Sequence, residues 1–268
     1  MKIKDQIGNL LEFDSTPIRI VSLVPSQTEL LYDLGLEDAI VGLTKFCVHP
    51  IHLKKKKQVV GGTKQINIEK IKALQPDIIL CNKEENTEAI VIACQIICPV
   101  HVSDIMTIEE SIDLIMQYGQ IFNVTNKAQD IKDEINNNLK DFRQYITDQP
   151  VLKVAYFIWK DPWMVAANGT FINHLLELNK LENIYANQDR YPEVDITKIQ
   201  KEDNLEVVLL SSEPFPFKIE HTLMFGEITN QAKAILVDGE YFSWYGSRLI
   251  NAFSYFKDLR ERLRTFSS

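Results

Sequence analysis

The sequence predicts an α/β protein of two lobes bridged by a single long helix, and three observations carry that reading. Short apolar, β-branched runs alternate with helical stretches in both halves of the chain. A helical pattern with no strand in it separates the halves, from Thr107 to Ile146. A helix-to-strand unit recurs: Ile68 to Ile71 leads into Asp77 to Leu80, and Ile196 to Ile199 leads into Glu206 to Leu209. Alternating units of this kind favour mostly parallel sheets with helices on their faces.

In the first half, Ile18 to Leu23 reads as a strand that ends at Pro25. Ser26 and Glu29 have the spacing of a capping box, and the helix they open stops at Gly35. Ile40 to Leu43 is the next strand. Asn67 caps a helix over Ile68 to Leu74, and Pro76 ends it. Asp77 to Cys81 is a buried strand, Glu84 to Ile97 a helix and Val100 to Val102 a strand.

The middle opens with a second capping box, Thr107 with Glu110, and breaks once around Gly119 and Asn123 to Thr125. After Thr125, apolar residues fall at Ala128, Ile131, Ile135, Leu139, Phe142 and Ile146, one stripe at helical spacing. At 1.5 Å per residue such a helix is a rod of roughly 33 Å, about the diameter of a small domain. Pro150 closes it. Alternation then resumes: strands at Val151 to Ile158, Met164 to Ala166, Glu206 to Leu210 and Ala234 to Val237, with helices at Phe171 to Leu178 and Gly246 to Phe266. The expected organisation is an N-terminal lobe (1–106), a helical segment with the bridging helix (107–149) and a C-terminal lobe (150–268). A cleft between two such lobes is a common place for a ligand.

Composition narrows the partners. With 268 residues, 45% apolar, the chain can build more than one core. A net charge of −8 argues against nucleic acid or an anionic membrane. The one basic run, Lys54 to Lys57, reads as a solvated turn. No segment reaches the roughly 20 apolar residues that span a bilayer. The opening Met1 to Leu10 has no apolar core or small-residue cleavage site, so a cytoplasmic chain is expected, or a periplasmic one if an export signal had been removed. Cys47, Cys81, Cys94 and Cys98 lie in apolar surroundings and read as core thiols in a reduced compartment.

No catalytic motif stands out: no phosphate-binding glycine loop, no nucleophile elbow and no zinc-protease helix. Gly61-Gly62 reads as a turn. The aromatic residues say more. Trp159 and Trp163 follow one predicted strand, Phe215 and Phe217 a second, and Tyr241 to Tyr245 a third, just ahead of Arg248. Parallel strands end on one edge of their sheet, where ligands bind. Aromatic loops there offer a stacking surface, and Arg248 offers a partner for an anionic group or carbonyl. The candidate ligand-binding residues from this reading include Phe215 and Tyr245. His49, His52, His101, His174 and His221 read mainly as loop and surface residues.

Arg19 to Glu29 resembles the opening motif of the helical-backbone class of periplasmic substrate-binding proteins, the receptors for vitamin B12, ferric siderophores and haem that feed ABC importers. The resemblance continues through Val59 to Thr63, Asn67 to Ile71, Leu74 to Asp77, Asn168-Gly169, Leu181 to Ile184 and Tyr241 to Leu249. It implies two Rossmann-like lobes with the ligand between them, against Phe46, Trp159, Trp163, Trp244 and Arg248. It implies docking of a membrane permease through Glu69. The corresponding position of the second lobe is Thr197, with Glu193 and Asp195 nearby. Lys64 and Asn82 stand where B12 receptors often carry aromatics.

The expected function is therefore a non-enzymatic binder of a metal chelate, a corrinoid, haem or ferric siderophore, with no intrinsic cofactor and an ABC importer permease as partner. A receptor for a bare metal ion through His49 or His101, and an enzyme of cofactor metabolism, are the alternatives.

Overall fold

The computed structural model describes residues 1–201, 205–229 and 232–264. In chain order they form β1 (Lys2–Lys4), β2 (Leu10–Glu12), β3 (Ile20–Ser22), α1 (Pro25–Asp33), β4 (Ile40–Leu43), α2 (Leu53–Lys56), β5 (Gln58–Val59), α3 (Ile68–Ala73), β6 (Ile78–Asn82), α4 (Glu88–Gln95), β7 (Val100–Ser103) and α5 (Ile108–Ile121). There follow α6 (Thr125–Ile146), β8 (Leu152–Trp159), β9 (Met164–Val165), α7 (Phe171–Leu178), β10 (Leu181–Asn183), β11 (Val207–Ser211), α8 (Ile219–Ile228), β12 (Lys233–Val237), α9 (Glu240–Ser243) and α10 (Leu249–Arg264). Contacts divide the chain into two compact units. One holds Met1–Asn136 and Trp244–Ile250, the other Asn137–Ser243 and Asn251–Ser268. The division falls inside α6, so one continuous helix supplies both units. It also puts Trp244–Ile250, expected in the C-terminal lobe, in the N-terminal unit.

The N-terminal unit holds a parallel sheet in the order β5-β4-β3-β6-β7. Its winding direction reverses between β3 and β6, the switch point of a doubly wound sheet. Ile20, Val21, Ile78, Ile79 and Leu80 are fully buried, as continuous apolar runs covered on both faces must be. A hairpin of β1 and β2, too short to show a sequence period, accompanies the sheet. Asp5 accepts the Val102 amide at 3.0 Å and so occupies a donor on the outer edge of β7.

Two helix starts differ from expectation. α1 begins at Pro25 behind Val24, with no side-chain cap, and Ser26, Gln27 and Thr28 are buried. Proline needs no amide partner in the first helical turn, which leaves Glu29 free for another role. α4 begins at Glu88 behind Thr87, whose hydroxyl accepts from Ile90. The preceding residues instead turn around Asn82, which accepts from the Glu84 and Glu85 amides. The Thr107–Glu110 capping box is present at the start of α5.

Gly119 lies within α5 and does not break it; the break is at Asn123, with φ +55°. A Cβ on Gly119 would meet the Ala128 Cβ at 2.6 Å. Gly119→Ala is therefore expected to destabilise the protein by about 1–3 kcal/mol through overpacking of the α5–α6 corner. Urea denaturation at 25 °C measures it, and an unchanged midpoint would show that the corner relaxes freely.

The C-terminal unit holds β10-β8-β11-β12 in parallel, with β9 antiparallel to β8. Here the winding reverses between β8 and β11. The predicted α6 stripe is buried along its length. In this unit Phe142 packs its ring against Phe253 and Phe256, 5.9 Å from each. α8 has no clear amphipathic period in the sequence, because it carries apolar residues outward as well as inward, Ile219 and Leu223 among the former. The terminal helix starts at Leu249, not Gly246, and its expected end at Phe266 lies outside the described residues. The repeat is partial: Ile68–Ala73 is α-helix, whereas Ile196–Lys201 is a 3-10 helix.

Candidate functional site

In the C-terminal unit, the carboxyl ends of β8 and β11 flank the switch point, and aromatic side chains collect there. Trp159 is the last residue of β8 and is 39% exposed. Its ring meets Phe215 edge to face at 5.8 Å. The Phe215 amide donates to the Ile158 carbonyl at 3.3 Å, which ties this loop to β8. Phe217 stacks on Trp163 at 6.1 Å. His221 sets its edge against both phenylalanines, at 5.7 and 5.2 Å. Its Nδ1 accepts the Lys218 amide at 3.0 Å, which fixes the ring at the start of α8. The loop is held from the other side, where the Ser243 hydroxyl donates to Glu213 at 2.6 Å. The result is an aromatic wall with Phe217 and Phe225 buried behind it and Trp159 at its face. A surface of this kind stacks on flat or apolar ligand faces.

In the N-terminal unit, Phe46 is 49% exposed after β4, with the Lys45 ammonium 4.9 Å from its ring centre. Asn82 is buried and holds its own turn, so it is not an exposed polar wall. Glu69 is exposed in the first turn of α3, 2.9 Å from Lys72. Thr197 donates its hydroxyl to Asp195 at 2.7 Å, and Lys198 lies 3.5 Å from the same carboxylate.

The segment after α9 differs from the sequence reading. Trp244 and Tyr245 are buried within the N-terminal unit and Arg248 is nearly so. Arg248 pairs with both oxygens of Glu29, at 2.9 and 2.7 Å, with 10% and 17% of the two side chains exposed. Its guanidinium lies 4.7 Å over the Trp244 ring, and the His49 ring meets the same indole edge to face at 5.4 Å. Burial pushes the Glu29 carboxyl above its usual range despite the opposing pull of Arg248, and burial likewise raises Asp33. The Tyr245 hydroxyl is 2.9 Å from Gln27 Nε2 and 3.2 Å from Ser103 Oγ. Trp244, Tyr245 and Arg248, expected as ligand contacts, thus each have partners within the N-terminal unit. Glu29, Gln27 and Ser103 were missed, because their partner lies 142 or more residues away in sequence.

Cys47, Cys81 and Cys94 are buried as expected, and burial pushes the partly covered Cys98 thiol up to about 12. His101 is buried with Nε2 2.9 Å from Gln117, and burial lowers its pKa. Among the described residues no group of three or more His, Cys, Asp or Glu side chains could hold a metal ion. No helix among them is long and apolar enough to cross a membrane.

Comparison with known proteins places this geometry in a family. The family model described as periplasmic binding protein matches residues 20–232. The ABC transporter substrate-binding lipoprotein YvrC of Bacillus subtilis, itself uncharacterized, is 28% identical over 194 residues, 69% of this chain and 61% of that protein. The matched span is thus under two thirds of that relative's length. The vitamin B12-binding protein of Vibrio cholerae is 27% identical over 213 residues, 78% of this chain and 73% of that one. In fold, the chain matches the crystal structure of the Vibrio cholerae vitamin B12 binding protein BtuF with a TM-score of 0.78 at 22% identity, over 93% of this chain and 98% of that one. It matches Helicobacter pylori CeuE, solved with Ni(II) bound, with a TM-score of 0.80 at 15% identity, over 96% and 87%. The expectation of a cytoplasmic chain is corrected here: the family is one of periplasmic binding proteins, and the Bacillus subtilis relative is a lipoprotein, which point outside the cytoplasm. The opening residues of the sequence were no guide to location. With more than half of its length matched by the family model, the chain belongs to the periplasmic binding protein family.

Proposed function

We propose that this chain is an extracytoplasmic substrate-binding protein of an ABC importer, and that it binds a compact metal chelate without transforming it. The observation that carries the reading is the aromatic wall at the switch point of the C-terminal sheet, with Trp159 exposed at its face. A corrinoid, a porphyrin or a ferric siderophore presents a broad, partly apolar surface that such rings cover. The family and the named relatives, binders of vitamin B12 among them, support the same class of cargo. Phe46 is the candidate contact of the N-terminal unit. Glu69 is the candidate contact with a permease, since its carboxylate is exposed at the start of a short helix.

The experiment is titration of the purified chain with cyanocobalamin, haemin and a ferric siderophore, followed by calorimetry and by absorbance. Saturable one-to-one binding of one of the three, with the chelate recovered unchanged, is expected. Failure to bind any of them sinks the chelate reading, and recovery of an altered chelate sinks the non-enzymatic one. For docking, Glu69→Lys is expected to abolish uptake in cells while leaving chelate binding by the purified chain unchanged. Loss of both would place Glu69 at the cargo instead.

A further inference from the structure

We propose that the carboxyl edge of the N-terminal sheet is a site for anionic oxygens, and that the cargo is a chelate carrying carboxylates or catecholates at its rim. The inference rests on the cargo reading above and narrows it. A haem or a ferric tricatecholate presents such oxygens, whereas a corrinoid presents mainly neutral amides. The chain as a whole has a net charge of −8, yet three exposed lysines follow three strands of this sheet at one edge. Lys45 follows β4, Lys64 follows β5 and Lys83 follows β6. The carboxyl edge is where a doubly wound sheet takes ligands.

Contacts among the three loops join the lysines into one rim. The Lys45 amide donates to the Gly61 carbonyl at 2.7 Å. A Cβ at Gly62 would sit 3.1 Å from the Phe46 ring and 3.4 Å from Lys45 Cε, so glycine lets both side chains lie against the backbone. Lys64 Nζ donates to the Glu84 carbonyl, next to Lys83, and Asn86 Nδ2 donates to the Thr63 carbonyl at 3.0 Å. Carboxylates belong to this rim too, but they are more covered than the lysines. Asp104 lies 2.6 Å from Lys83, with 14% of its side chain exposed against 57% for the lysine. Glu84 and Glu85 are half-buried, and one Glu84 oxygen is fully buried. Among the described residues no carboxylate pairs with Lys45, which lies over Phe46, or with Lys64, which bonds a carbonyl. An incoming ligand therefore meets ammonium groups first, beside the exposed Phe46 ring. Cations without counter-ions next to an open aromatic ring suit a flat chelate with an anionic rim.

Titration of the purified chain with cyanocobalamin, haemin and a ferric tricatecholate tests it, at 20 mM and at 500 mM salt, chosen to lie on either side of about 0.1 M. One of the two anionic chelates is expected to bind at least about tenfold tighter than cyanocobalamin. The double variant Lys45→Gln, Lys64→Gln is expected to weaken that binding by about tenfold at the lower salt and by much less at the higher. Its melting temperature is expected to stay within about 2 °C of the parent, because both side chains are exposed. Tightest binding of cyanocobalamin overturns this proposal and leaves the cargo reading standing. Binding of none of the three overturns both. An anionic chelate held equally well by the parent and the double variant at low salt also overturns the proposal.

Discussion

Replacing Trp159 by alanine is expected to weaken binding of the cargo chelate by about 10- to 100-fold, with little effect on stability. Interface energy concentrates in a few aromatic anchors, and tryptophan is the most common of them. Trp159 ends β8 at the switch point and is supported edge-on by Phe215, so its ring is already held where a ligand meets it. Because 39% of it is exposed, its removal opens no internal cavity. Trp159→Phe is expected to retain most of the affinity, since a flat ring remains. The measurement is the dissociation constant of whichever chelate binds the parent chain, beside the circular dichroism melting curve. An unchanged constant for Trp159→Ala would remove the aromatic wall from the cargo site.

The second large effect concerns Arg248. Arg248→Met is expected to destabilise the protein by about 3 kcal/mol at pH 8, because it leaves the buried Glu29 carboxylate without its guanidinium. The loss is expected to shrink at pH 5. Glu29 and Asp33 have folded-state pKa values raised by burial above 4.5 and 3.8. A group raised in this way contributes stability that is fully present below its unfolded value and is lost as pH rises through its folded value. Removing the cation raises Glu29 further, so the variant is expected to lose stability more steeply than the parent between pH 5 and pH 8. Urea denaturation at the two pH values measures this. A variant that loses chelate affinity while keeping parental stability would return Arg248 to the ligand, as the sequence resemblance implied.

The elements of the fold were largely legible because their causes are local. The α6 stripe, the Thr107–Glu110 capping box, the Asn67 cap and the apolar run at Ile78 to Leu80 each record the burial of nearby residues with a period or a cap. Where a local rule misled, another local rule had won. Pro25 opened α1 and displaced the Ser26 cap, and Asn82 took the turn amides that had been assigned to α4. The hairpin β1–β2 and the helix α8 had no signal of sufficient length or contrast.

The site was legible only by residue type. The sequence alone determined that aromatics follow the strands of the second half, and that two alternating regions flank one long helix. That follows because alternation and helical spacing are written in consecutive residues. The tertiary structure decided which partners these side chains meet. Trp159 and Phe215 are held at a sheet edge, whereas Trp244, Tyr245 and Arg248 meet His49, Gln27, Ser103 and Glu29. The physical reason is that a ring or a guanidinium is satisfied by whichever partner the chain brings within a few ångströms. A partner 219 residues away leaves no trace in the local pattern.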